Sequence, residues 1–343
     1  MRLIAGRTPP AGRPYDADVV ILALDRPDDT LIAIGSALAQ GGVSRHLTVL
    51  DQGSAPGTLD RLAARIAGRT DACLFRSERN QGVAGGRNLA SAIGHGRVIA
   101  ALDNDAVFAA PDTLSRLVAA LDAEPGLAAI GCRILRDDDG SDDRTSWGYP
   151  AGRLSQAGES FDAVTYVGAG HAIRRTAWTA AGGYDPTLFF CWEEYDFCLR
   201  AIALGWRVRY RGDIAIRHRL AEEHRMRWGD HRWFHFVRNR LYIARKYGAG
   251  WPAIAPRTVG YLIKGMANGL PGPTLRAIAA AIAMGRNVTP VRLPEAARDY
   301  LRRNDTLQRE SWMVRLRREV LAALPRPPSP VNPPVVSPAA AAE

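Results

Sequence analysis

The sequence of 343 residues has only four cysteines, and no two of them form a C-x-x-C pair. This scarcity excludes a disulfide framework and gives no metal-ligand spacing, so we expect reduced core thiols in a cytoplasmic protein. Long hydrophobic runs are also absent, because no segment approaches the roughly 18 uninterrupted apolar residues of a membrane span. The first residues lack the apolar centre of a secretory signal, so we expect neither export by that route nor a transmembrane helix.

Acidic residues are scarce in the second half of the chain. Residues 197–318 contain 25 Lys and Arg against 8 Asp and Glu, and the formal net charge of the whole chain is +10. A basic half indicates an anionic partner, such as a membrane surface, a nucleic acid or a phosphorylated substrate, although an Arg-rich proteome would produce the same excess. The chain is 47% hydrophobic and long enough to bury one large core or two moderate ones, which excludes disorder as its overall class.

Short apolar runs alternate with helical patterns early in the chain. We predict strands at 18–24, 47–50 and 72–75, helices at 28–40 and 58–67, and a further buried strand that begins at Val98. Strands that alternate with helices form βαβ units with right-handed crossovers. The predicted class is therefore α/β, with a mainly parallel central sheet flanked by helices.

Three carboxylates follow the ends of two predicted strands. Asp51 closes the second strand, and Asp103 and Asp105 follow the run that begins at Val98. Because ligands bind where parallel strands end at one edge of an open α/β sheet, we expect these residues to face one crevice. Asp103-Asn104-Asp105 could hold a hard divalent cation, and Asp51 could accept hydrogen bonds from a base or a ribose. Two solvated acids at a strand end and a turn-forming Asp are the simpler alternatives.

A glycine-rich stretch at residues 80–90 opens a predicted helix. Its sequence is Asn80-Gln81-Gly82-Val83-Ala84-Gly85-Gly86-Arg87-Asn88-Leu89-Ala90. Glycines there let backbone N–H groups and Arg87 approach phosphate oxygens. The stretch is not G-x-G-x-x-G, follows the third strand rather than the first, and lacks the Lys-Ser/Thr ending of a P-loop. The first two differences argue against a nicotinamide-binding fold, and the third argues against a P-loop.

Taken in order, these motifs resemble family 2 glycosyltransferases of the GT-A fold, a Rossmann-like fold, and the nearest likeness is to bacterial rhamnosyl- and galactofuranosyltransferases. The likeness covers about residues 17–245 and rests on Asp51-Gln52-Gly53-Ser54, the motif at 80–88, Leu102-Asp103-Asn104-Asp105, and the segments 167–170, 182–185 and 189–200. It implies an inverting, metal-dependent enzyme that moves a sugar from a UDP- or dTDP-linked nucleoside diphosphate sugar to a cell-envelope glycan or a lipid-linked acceptor. The resemblance implies Mn²⁺ or Mg²⁺ as the cation.

The resemblance also implies roles for individual residues. Asp105 maps to a direct metal ligand, and Asp103 maps to a position beside the ribose or the metal. His218 falls where the family often supplies a further metal ligand, although a lone His at a strand end is usually structural. The implied nucleotide-sugar site comprises Asp51, which maps to the base-contacting acid, together with Asn80, Gly82, Arg87, Asp103 and Asn104.

Glu194 maps to the catalytic base of the family, with Glu193 as the fallback and Asp196 in the same acidic group. These acids precede a helical stretch predicted at 197–204, and the N-terminus of a helix favours the ionised carboxylate that a base requires. An ordinary acidic helix start is the alternative. Short strands are predicted at 207–210 and 214–218, and His171, His224, His231 and His235 are predicted to be structural or acceptor-side.

Three departures from the family pattern affect these expectations. Residues 21–25 read Ile-Leu-Ala-Leu-Asp where the family has Val-Ile-Pro-Thr-Tyr-Asn, so contacts there are expected to differ. Glu194 stands where Asp is more usual, which adds a methylene to the base. Gly229 stands where a processive polymerase would have Gln before Arg-Trp, so we expect one sugar, or a few, to be added per acceptor.

Beyond residue 245 the pattern changes to basic helices. We predict helices at 238–247, 251–268, 273–286 and 312–323. The apolar run 277–284 is too short to span a bilayer but suits a helix in a membrane interface, with packing on the catalytic domain or a dimer contact as the alternatives. The predicted organisation is an irregular segment 1–16, a GT-A domain 17–245, a basic helical region 246–323 and a disordered Pro-rich tail 324–343.

Two further function classes stay open on the sequence alone. A catalytically silent GT-A domain that binds nucleotide or glycan as a scaffold would carry the same motifs. A nucleic-acid-binding protein is suggested only by charge, and the chain lacks a helix-turn-helix or RNP-type motif, so we expect no nucleic-acid partner. We expect a cytoplasmic location at the inner face of the cytoplasmic membrane. The sequence does not identify the sugar, the acceptor, the linkage or the oligomeric state.

Overall fold

The computed structural model describes residues 1–219 and 229–324 and places one ten-stranded sheet at the centre of the fold. The strands are β1 (Arg2–Gly6), β2 (Ala17–Ala23), β3 (Arg45–Asp51), β4 (Ala72–Arg76), β5 (Val98–Leu102), β6 (Ala106–Phe108), β7 (Leu127–Arg136), β8 (Ser160–Ala163), β9 (Gly170–Arg174) and β10 (Arg207–His218). Their order in the sheet is β1-β4-β3-β2-β5-β9-β7-β10-β6, and β8 pairs with β10 outside this path.

Helices flank the sheet and continue beyond it. They are α1 (Pro27–Leu38), α2 (Pro56–Ile66), α3 (Gly82–Ser91), α4 (Thr113–Ala123), α5 (Arg175–Ala181), α6 (Glu193–Ala203), α7 (Asp230–Lys246), α8 (Trp251–Ala267), α9 (Pro271–Arg286), α10 (Glu295–Asn304) and α11 (Trp312–Arg315), and a π-helical turn covers Leu316–Leu321. Proline occupies the first turn of α1 and α2, where its missing N–H is not needed. No helix in residues 1–219 or 229–324 has the length and apolar content that crossing a bilayer requires.

The first half of the sheet consists of parallel strands joined through helices. Strands β4, β3, β2 and β5 are parallel neighbours, as the alternating pattern predicts. Val19 and Ile21 of β2 lie in the apolar cluster on one face, while Val20 between them lies in the cluster on the other face. Both faces of the sheet are therefore covered, which explains the continuous apolar runs of these strands.

The second half of the sheet mixes strand directions. Strand β9 is antiparallel to both β5 and β7, and β10 is parallel to β7. Six of the ten strands (β2, β3, β4, β5, β7 and β10) consequently run in one direction. The prediction of an α/β fold with a mainly parallel central sheet flanked by helices is confirmed.

Three local predictions differ from the structure. Residues 2–6, predicted to be irregular, form β1, because an antiparallel pairing with β4 covers what would otherwise be an open edge. The two short strands predicted at 207–210 and 214–218 are one strand, β10, whose register shifts between Arg211 and Ala215. The register shift lets one continuous strand include the polar residues that interrupt its apolar pattern. Helix α6 begins at Glu193, four residues before the predicted start.

Helices α7 to α9 pack together after the sheet. Ala277, Ala281 and Gly285 are buried along α9, and Gly285 approaches Arg245 of α7 so closely that a Cβ there would lie 3.0 Å from its Cγ. One side of the run 277–284 thus packs on the protein, as the packed-helix alternative predicts, while Ala279 and Ala283 stay exposed. Leu324, predicted to begin a disordered tail, is buried, and its N–H donates to Asn268 Oδ1 at 2.9 Å. The rest of the predicted tail and His224 lie outside the described residues.

Candidate active site

Three parallel strands end together at one edge of the sheet. Asp51 is registered with Ala23 in the β2–β3 pair, and Leu102 is registered with Ile21 in the β2–β5 pair. Asp51 therefore closes β3, and Asp103 follows β5 directly. Open α/β sheets bind their ligands at this carboxyl edge.

Asp51 is fully buried, and its carboxylate organises the turn that follows it. Its two oxygens accept N–H bonds from Gly53 at 3.3 Å and from Ser54 at 3.2 Å. Arg76 Nη1 lies 3.8 Å from Oδ2. The turn-forming alternative therefore accounts for both oxygens, and a contact to a base would have to use their remaining lone pairs.

The backbone N–H groups at the start of α3 are used within the protein. Val83 and Ala84 donate to Phe189 O at 2.7 and 3.3 Å, and Gly82 donates to Asn80 Oδ1 at 2.8 Å. Gly82 has a φ of +69°, and a Cβ there would lie 2.2 Å from Phe189 O, so only glycine fits. This differs from the expected approach of these groups to phosphate oxygens: the N–H groups of Val83 and Ala84 hold the backbone of Phe189 against α3, and Gly82 leaves room for it.

Arg87 on α3 is a buried cation beside Asp103. Its Nη2 donates to Asp103 Oδ1 at 2.6 Å and to Gly168 O at 3.1 Å, while its Nε and Nη1 are buried and make no hydrogen bond with the described residues. The Asp103 side chain keeps 40% exposure, so part of its carboxylate stays open to solvent. Asn104 Nδ2 donates to Thr30 Oγ1 at 3.1 Å and thereby ties this edge to α1.

Asp105 and His218 lie together, as the resemblance implies. His218 Nε2 is 3.4 Å from Asp105 Oδ1, and its Nδ1 is 3.0 Å from Asp143 Oδ2. Burial opposes the charged imidazole, but hydrogen bonds to Asp105 and Asp143 outweigh it and raise the pKa of His218 to about 9. Burial likewise would raise the pKa of Asp105, yet His218 and Arg26 lower it below its usual value.

This donor set fits a divalent cation that takes only part of its ligands from the protein. A carboxylate oxygen of Asp105 and the Nε2 of His218 are adjacent, and Asp143 on the other ring nitrogen orients the imidazole as second partners of metal-bound histidines do. Within the described ranges no group of three or more His, Cys, Asp or Glu is arranged to hold a metal. A cation here would therefore complete its coordination with phosphate oxygens and water, as Mg²⁺ usually does.

Glu194 lies in the first turn of α6, where the helix N-terminus favours a carboxylate. Burial raises the pKa of Glu194 to about 7; Arg87 opposes this rise and Asp103 adds to it. Glu193 is only 2% exposed, its Oε2 has no hydrogen-bond partner in the described chain, and burial together with Glu194 raises its pKa well above the usual range. Glu194 is therefore the carboxylate of the pair that titrates near neutral pH.

Asp196, the third acid of the group, is engaged in a buried ion-pair cluster. Arg200 Nε donates to its Oδ2 at 3.0 Å, and Lys246 Nζ lies 2.8 Å from its Oδ1. Lys246 also contacts Asp185 at 2.7 Å. Asp196 thus anchors α6 to α7, and its oxygens are already paired with cations.

The segment that leads into α6 has an unusual backbone. Phe189, Cys191 and Trp192 have φ values of +61°, +69° and +73°, a region that non-glycine residues rarely occupy. Asn239 of α7, which is fully buried, holds this segment: its Nδ2 lies 2.8 Å from the carbonyl oxygens of Leu188, Phe190 and Cys191. Strained backbone of this kind persists only where the surroundings fix it, and it clusters at functional sites.

The other histidines have partners outside this edge. His171 is buried, and its Nε2 lies 3.1 Å from the Tyr184 hydroxyl. His231 and His235 pack edge to face on α7 with ring centroids 4.6 Å apart. These contacts support a packing role for the three side chains.

Sequence reasoning missed three residues of this region. Asp143 is one of several acids in residues 137–143, and nothing in the sequence pattern distinguishes it. Only the folded structure brings it next to His218. Arg26 follows a strand whose sequence departs from the family motif, and its Nη1 lies 2.7 Å from Asp105 Oδ2. Asn239 was detectable only as a lone amide between Arg238 and Arg240 of a basic helix.

The candidate site therefore consists of acidic residues at the carboxyl edge of a mixed α/β sheet and of paired glutamates at the start of a following helix. Residues 18–179 match the model of the family described as Glycosyl transferase family 2. This part of the chain, just under half of its length, is similar to family 2 glycosyltransferases.

Two curated relatives match part of the chain. The succinoglycan biosynthesis protein ExoO of Rhizobium meliloti (strain 1021) is 37% identical over 115 residues, which are 34% of this chain and 32% of the relative. The succinoglycan biosynthesis protein ExoU of the same organism is 29% identical over 213 residues, 58% of this chain and 60% of the relative. The chain thus matches less than two thirds of the length of each.

Solved structures share the fold at low sequence identity. The mannosyltransferase PcManGT from Pyrobaculum calidifontis, in complex with GDP-Man and Mn²⁺, aligns with a TM-score of 0.52 at 17% identity, over 82% of this chain and 79% of that chain. GalNAc-T7 with UDP, GalNAc and Mn²⁺ aligns with a TM-score of 0.56 at 16% identity, over 73% and 51%. The predicted GT-A fold with a C-terminal helical region is confirmed.

Proposed function

We propose that this chain is an inverting, metal-dependent glycosyltransferase that moves a hexosyl or deoxyhexosyl group from a nucleoside diphosphate sugar to a glycan acceptor. The observation that carries the proposal is the combination of Glu194, whose pKa is raised to about 7, with the strand-end acids Asp103 and Asp105. The family match supports a glycosyltransferase, and the names of the two relatives support a polysaccharide as the product.

Glu194 is proposed to act as the base on the acceptor hydroxyl. It takes the proton while the acceptor oxygen forms a bond to the anomeric carbon, and the bond from that carbon to the diphosphate breaks with its electron pair. A base with a pKa near the working pH is well matched to this task. Glu193 is too buried to reach an acceptor, so we assign it to positioning.

Asp105 and His218 are proposed to hold the cation, with Asp143 orienting His218. A bound divalent cation neutralises the negative charge that develops on the leaving diphosphate. The mixed oxygen and nitrogen set favours Mn²⁺ over Mg²⁺, because imidazole is a poorer ligand for the harder ion. Asp51, Asp103 and Asn104 are proposed to face the nucleoside, for which UDP- and dTDP-linked donors are the candidates.

A transfer assay tests this proposal. The full chain is incubated with UDP- and dTDP-sugars, a glycan acceptor and Mn²⁺, and the product is analysed by NMR for the configuration at the new anomeric carbon. We expect an inverted linkage that Glu194→Gln and Asp105→Ala each reduce at least a hundredfold. Full activity in either variant, with wild-type circular dichroism, would contradict the proposal.

We also propose that the protein docks on an anionic membrane surface, at the inner face of the cytoplasmic membrane, to reach a lipid-linked acceptor. Support comes from α8, in which only Ile254 and Gly265 of 17 residues are buried although the helix is largely apolar. Val259, Ile263 and Met266 are 53%, 42% and 60% exposed. Between α8, α9 and α7 runs a groove of about 220 Å³ lined mainly by apolar side chains.

Charge around α8 favours an anionic partner. Residues 231–294 contain ten Lys and Arg and no Asp or Glu. An apolar helix face within a basic stretch of chain is a feature by which peripheral proteins bind anionic lipid. The element proposed for the membrane is thus α8, in place of the run in α9 that the sequence suggested.

A further inference from the structure

Arg26 contacts the carboxylate that we propose as a metal ligand. Its Nη1 donates to Asp105 Oδ2 at 2.7 Å, and His218 Nε2 lies 3.4 Å from the other oxygen, Oδ1. Each oxygen of Asp105 therefore faces a nitrogen of a basic side chain. The Asp105 side chain is 12% exposed, which makes this pairing stronger than a surface ion pair.

The backbone fixes Arg26 in this place. Asp25 and Arg26 have φ values of +53° and +54°, and neither is glycine. Thr30 holds the Arg26 carbonyl through its N–H at 3.1 Å and its hydroxyl at 2.9 Å. Asp25 is held by Ser54 Oγ, which accepts its N–H at 2.7 Å, and by Ala55 N–H, which donates to its Oδ1 at 3.0 Å. The left-handed turn therefore aims the guanidinium at Asp105.

The Arg26 guanidinium has donors left over for an anion, although Asp29 already faces its Nε. Arg26 Nε and Nη2 are buried and make no hydrogen bond within the described ranges, and the nearest further acid, Asp29, lies 3.5 Å from Nε. A guanidinium offers five donors in a fixed fork, which matches phosphate oxygens. Buried donors without partners at a candidate diphosphate site indicate a ligand that supplies acceptors.

We propose that Arg26 is the resident counter-cation of the donor site. In the absence of substrate it competes with a divalent cation for Asp105, and in the substrate complex its guanidinium pairs with the donor diphosphate. This inference rests on the proposed function. It makes the binding of cation and diphosphate interdependent, because the diphosphate draws Arg26 away from the carboxylate that the cation needs.

Mn²⁺ binding to the purified full chain tests the competition without any turnover. The free Mn²⁺ signal is followed by electron paramagnetic resonance for wild type, Arg26→Gln, Arg26→Lys and Arg219→Gln. Arg219 is the matched control, because its Nε also lies near Asp29, at 3.8 Å, but its side chain is not paired with Asp105. We expect Arg26→Gln to bind Mn²⁺ about tenfold more tightly than wild type, since one charge-assisted bond to the ligand is removed. Arg26→Lys and Arg219→Gln should stay close to wild type.

Inorganic pyrophosphate without divalent cation tests the second half of the proposal. We expect Arg26→Gln to weaken pyrophosphate binding about tenfold by calorimetry, whereas Arg219→Gln leaves it unchanged. Unchanged Mn²⁺ or unchanged pyrophosphate affinity in Arg26→Gln, in a protein that melts like wild type, would overturn the inference. Asp105→Ala distinguishes a failure of the proposed metal site from a failure of the proposal on Arg26. If Asp105→Ala leaves Mn²⁺ binding intact, the proposed metal site is wrong. If Asp105→Ala abolishes Mn²⁺ binding, a negative result for Arg26→Gln counts against the role of Arg26 alone.

Discussion

At the scale of single residues, the environment of Glu194 determines when the proposed base can act. The carboxyl is surrounded by protein atoms near Asp103, and Arg87 only partly offsets the cost of its charge. A carboxyl held in this way keeps its proton at a pH where an exposed Glu has lost it. The same burial that makes Glu194 a stronger base makes its ionised form costly to the fold.

The pH dependence of transfer follows from this pKa. The base must be deprotonated, and its pKa is raised to about 7, so kcat/KM should rise with pH through about 7 and level off above it. The measurement is a pH profile of kcat/KM between pH 5 and 9 at saturating Mn²⁺. A profile that is flat down to pH 5 would contradict the assignment.

Removing the charge of the Glu194 carboxylate should have opposite effects on activity and on stability. Glu194→Gln should abolish transfer but raise the melting temperature at pH 8, where the wild-type carboxylate is ionised in a buried place. The difference should shrink as the pH falls below about 7, and it should vanish only near pH 4, below the ordinary pKa of an exposed Glu. A lower melting temperature for the variant at pH 8 would show that the carboxylate stabilises the fold.

Gly168 should matter for the position of Glu194. A Cβ at residue 168 would lie 2.3 Å from Glu194 Oε1, so Gly168→Ala should displace the carboxylate, which is the flexible end of a side chain. We expect activity to fall by about a hundredfold with little change in melting temperature. Gly35→Ala is the control, because a Cβ there meets nothing within 4 Å, and it should leave activity intact. Equal activity of the two variants would argue against the placement of Glu194.

Some residue-level features could be predicted from the sequence and others could not. The proximity of Asp105 and His218 is what the resemblance to the family implies. Asp143 and Arg26 contact the same pair of residues, but they come from parts of the chain distant in sequence. No local sequence pattern therefore predicts them. The amides at the start of α3 show the opposite case, since the glycine-rich motif is evident but Phe189 already uses its donors.

At the scale of elements, α7 connects the C-terminal helices to the site. Asn239 holds three carbonyls of the segment before α6, and Lys246 pairs with Asp185 and Asp196. The start of the catalytic helix is therefore positioned from outside the sheet. These contacts link α7 directly to the segment that carries Glu193 and Glu194.

Asn239→Leu tests this connection. The change removes the amide donors to three carbonyl oxygens, one buried and two partly buried, so we expect a loss of about 2–4 kcal/mol in the free energy of unfolding and a larger loss of activity. Urea unfolding and the transfer assay measure the two effects. Asn304→Leu, which removes one bond to Tyr300 O, should cost less and leave turnover unchanged. Wild-type activity in a destabilised Asn239→Leu protein would show that the segment needs no such support.

Element boundaries show what local patterns can predict. The parallel strands are found within a few residues because their apolar runs are continuous. The existence of β1 depends on the open edge of β4, and the joining of two short runs into β10 depends on pairing with β7. The exposed apolar face is on α8 rather than in the run of α9, because α9 packs against α7.

At the scale of the whole molecule, acidic and basic residues are concentrated in different parts of the chain. The candidate catalytic edge carries paired acids, while residues 231–294 have no acid at all. We have proposed that this basic region meets a membrane, which would present a lipid-linked acceptor to a base positioned by α7.

Sedimentation with vesicles tests that arrangement. The protein should bind phosphatidylglycerol vesicles but not phosphatidylcholine vesicles, and binding should weaken as salt rises, because exposed charges are screened. Val259→Asp with Ile263→Asp should abolish binding, whereas Leu204→Asp, at a residue 57% exposed just after α6, should not. Equal sedimentation of the double variant and wild type would assign the surface elsewhere.

The central claim is that a nucleoside diphosphate and a divalent cation bind together at Asp105. Thermal melting of the full chain with UDP, dTDP or GDP, each with and without Mn²⁺, tests it most directly, because a ligand of the native state raises the melting temperature. We predict a rise with one of these diphosphates that requires Mn²⁺ and disappears in Asp105→Ala. The same rise in Asp105→Ala, or no rise with any of the three in a protein that melts cooperatively, would contradict the account.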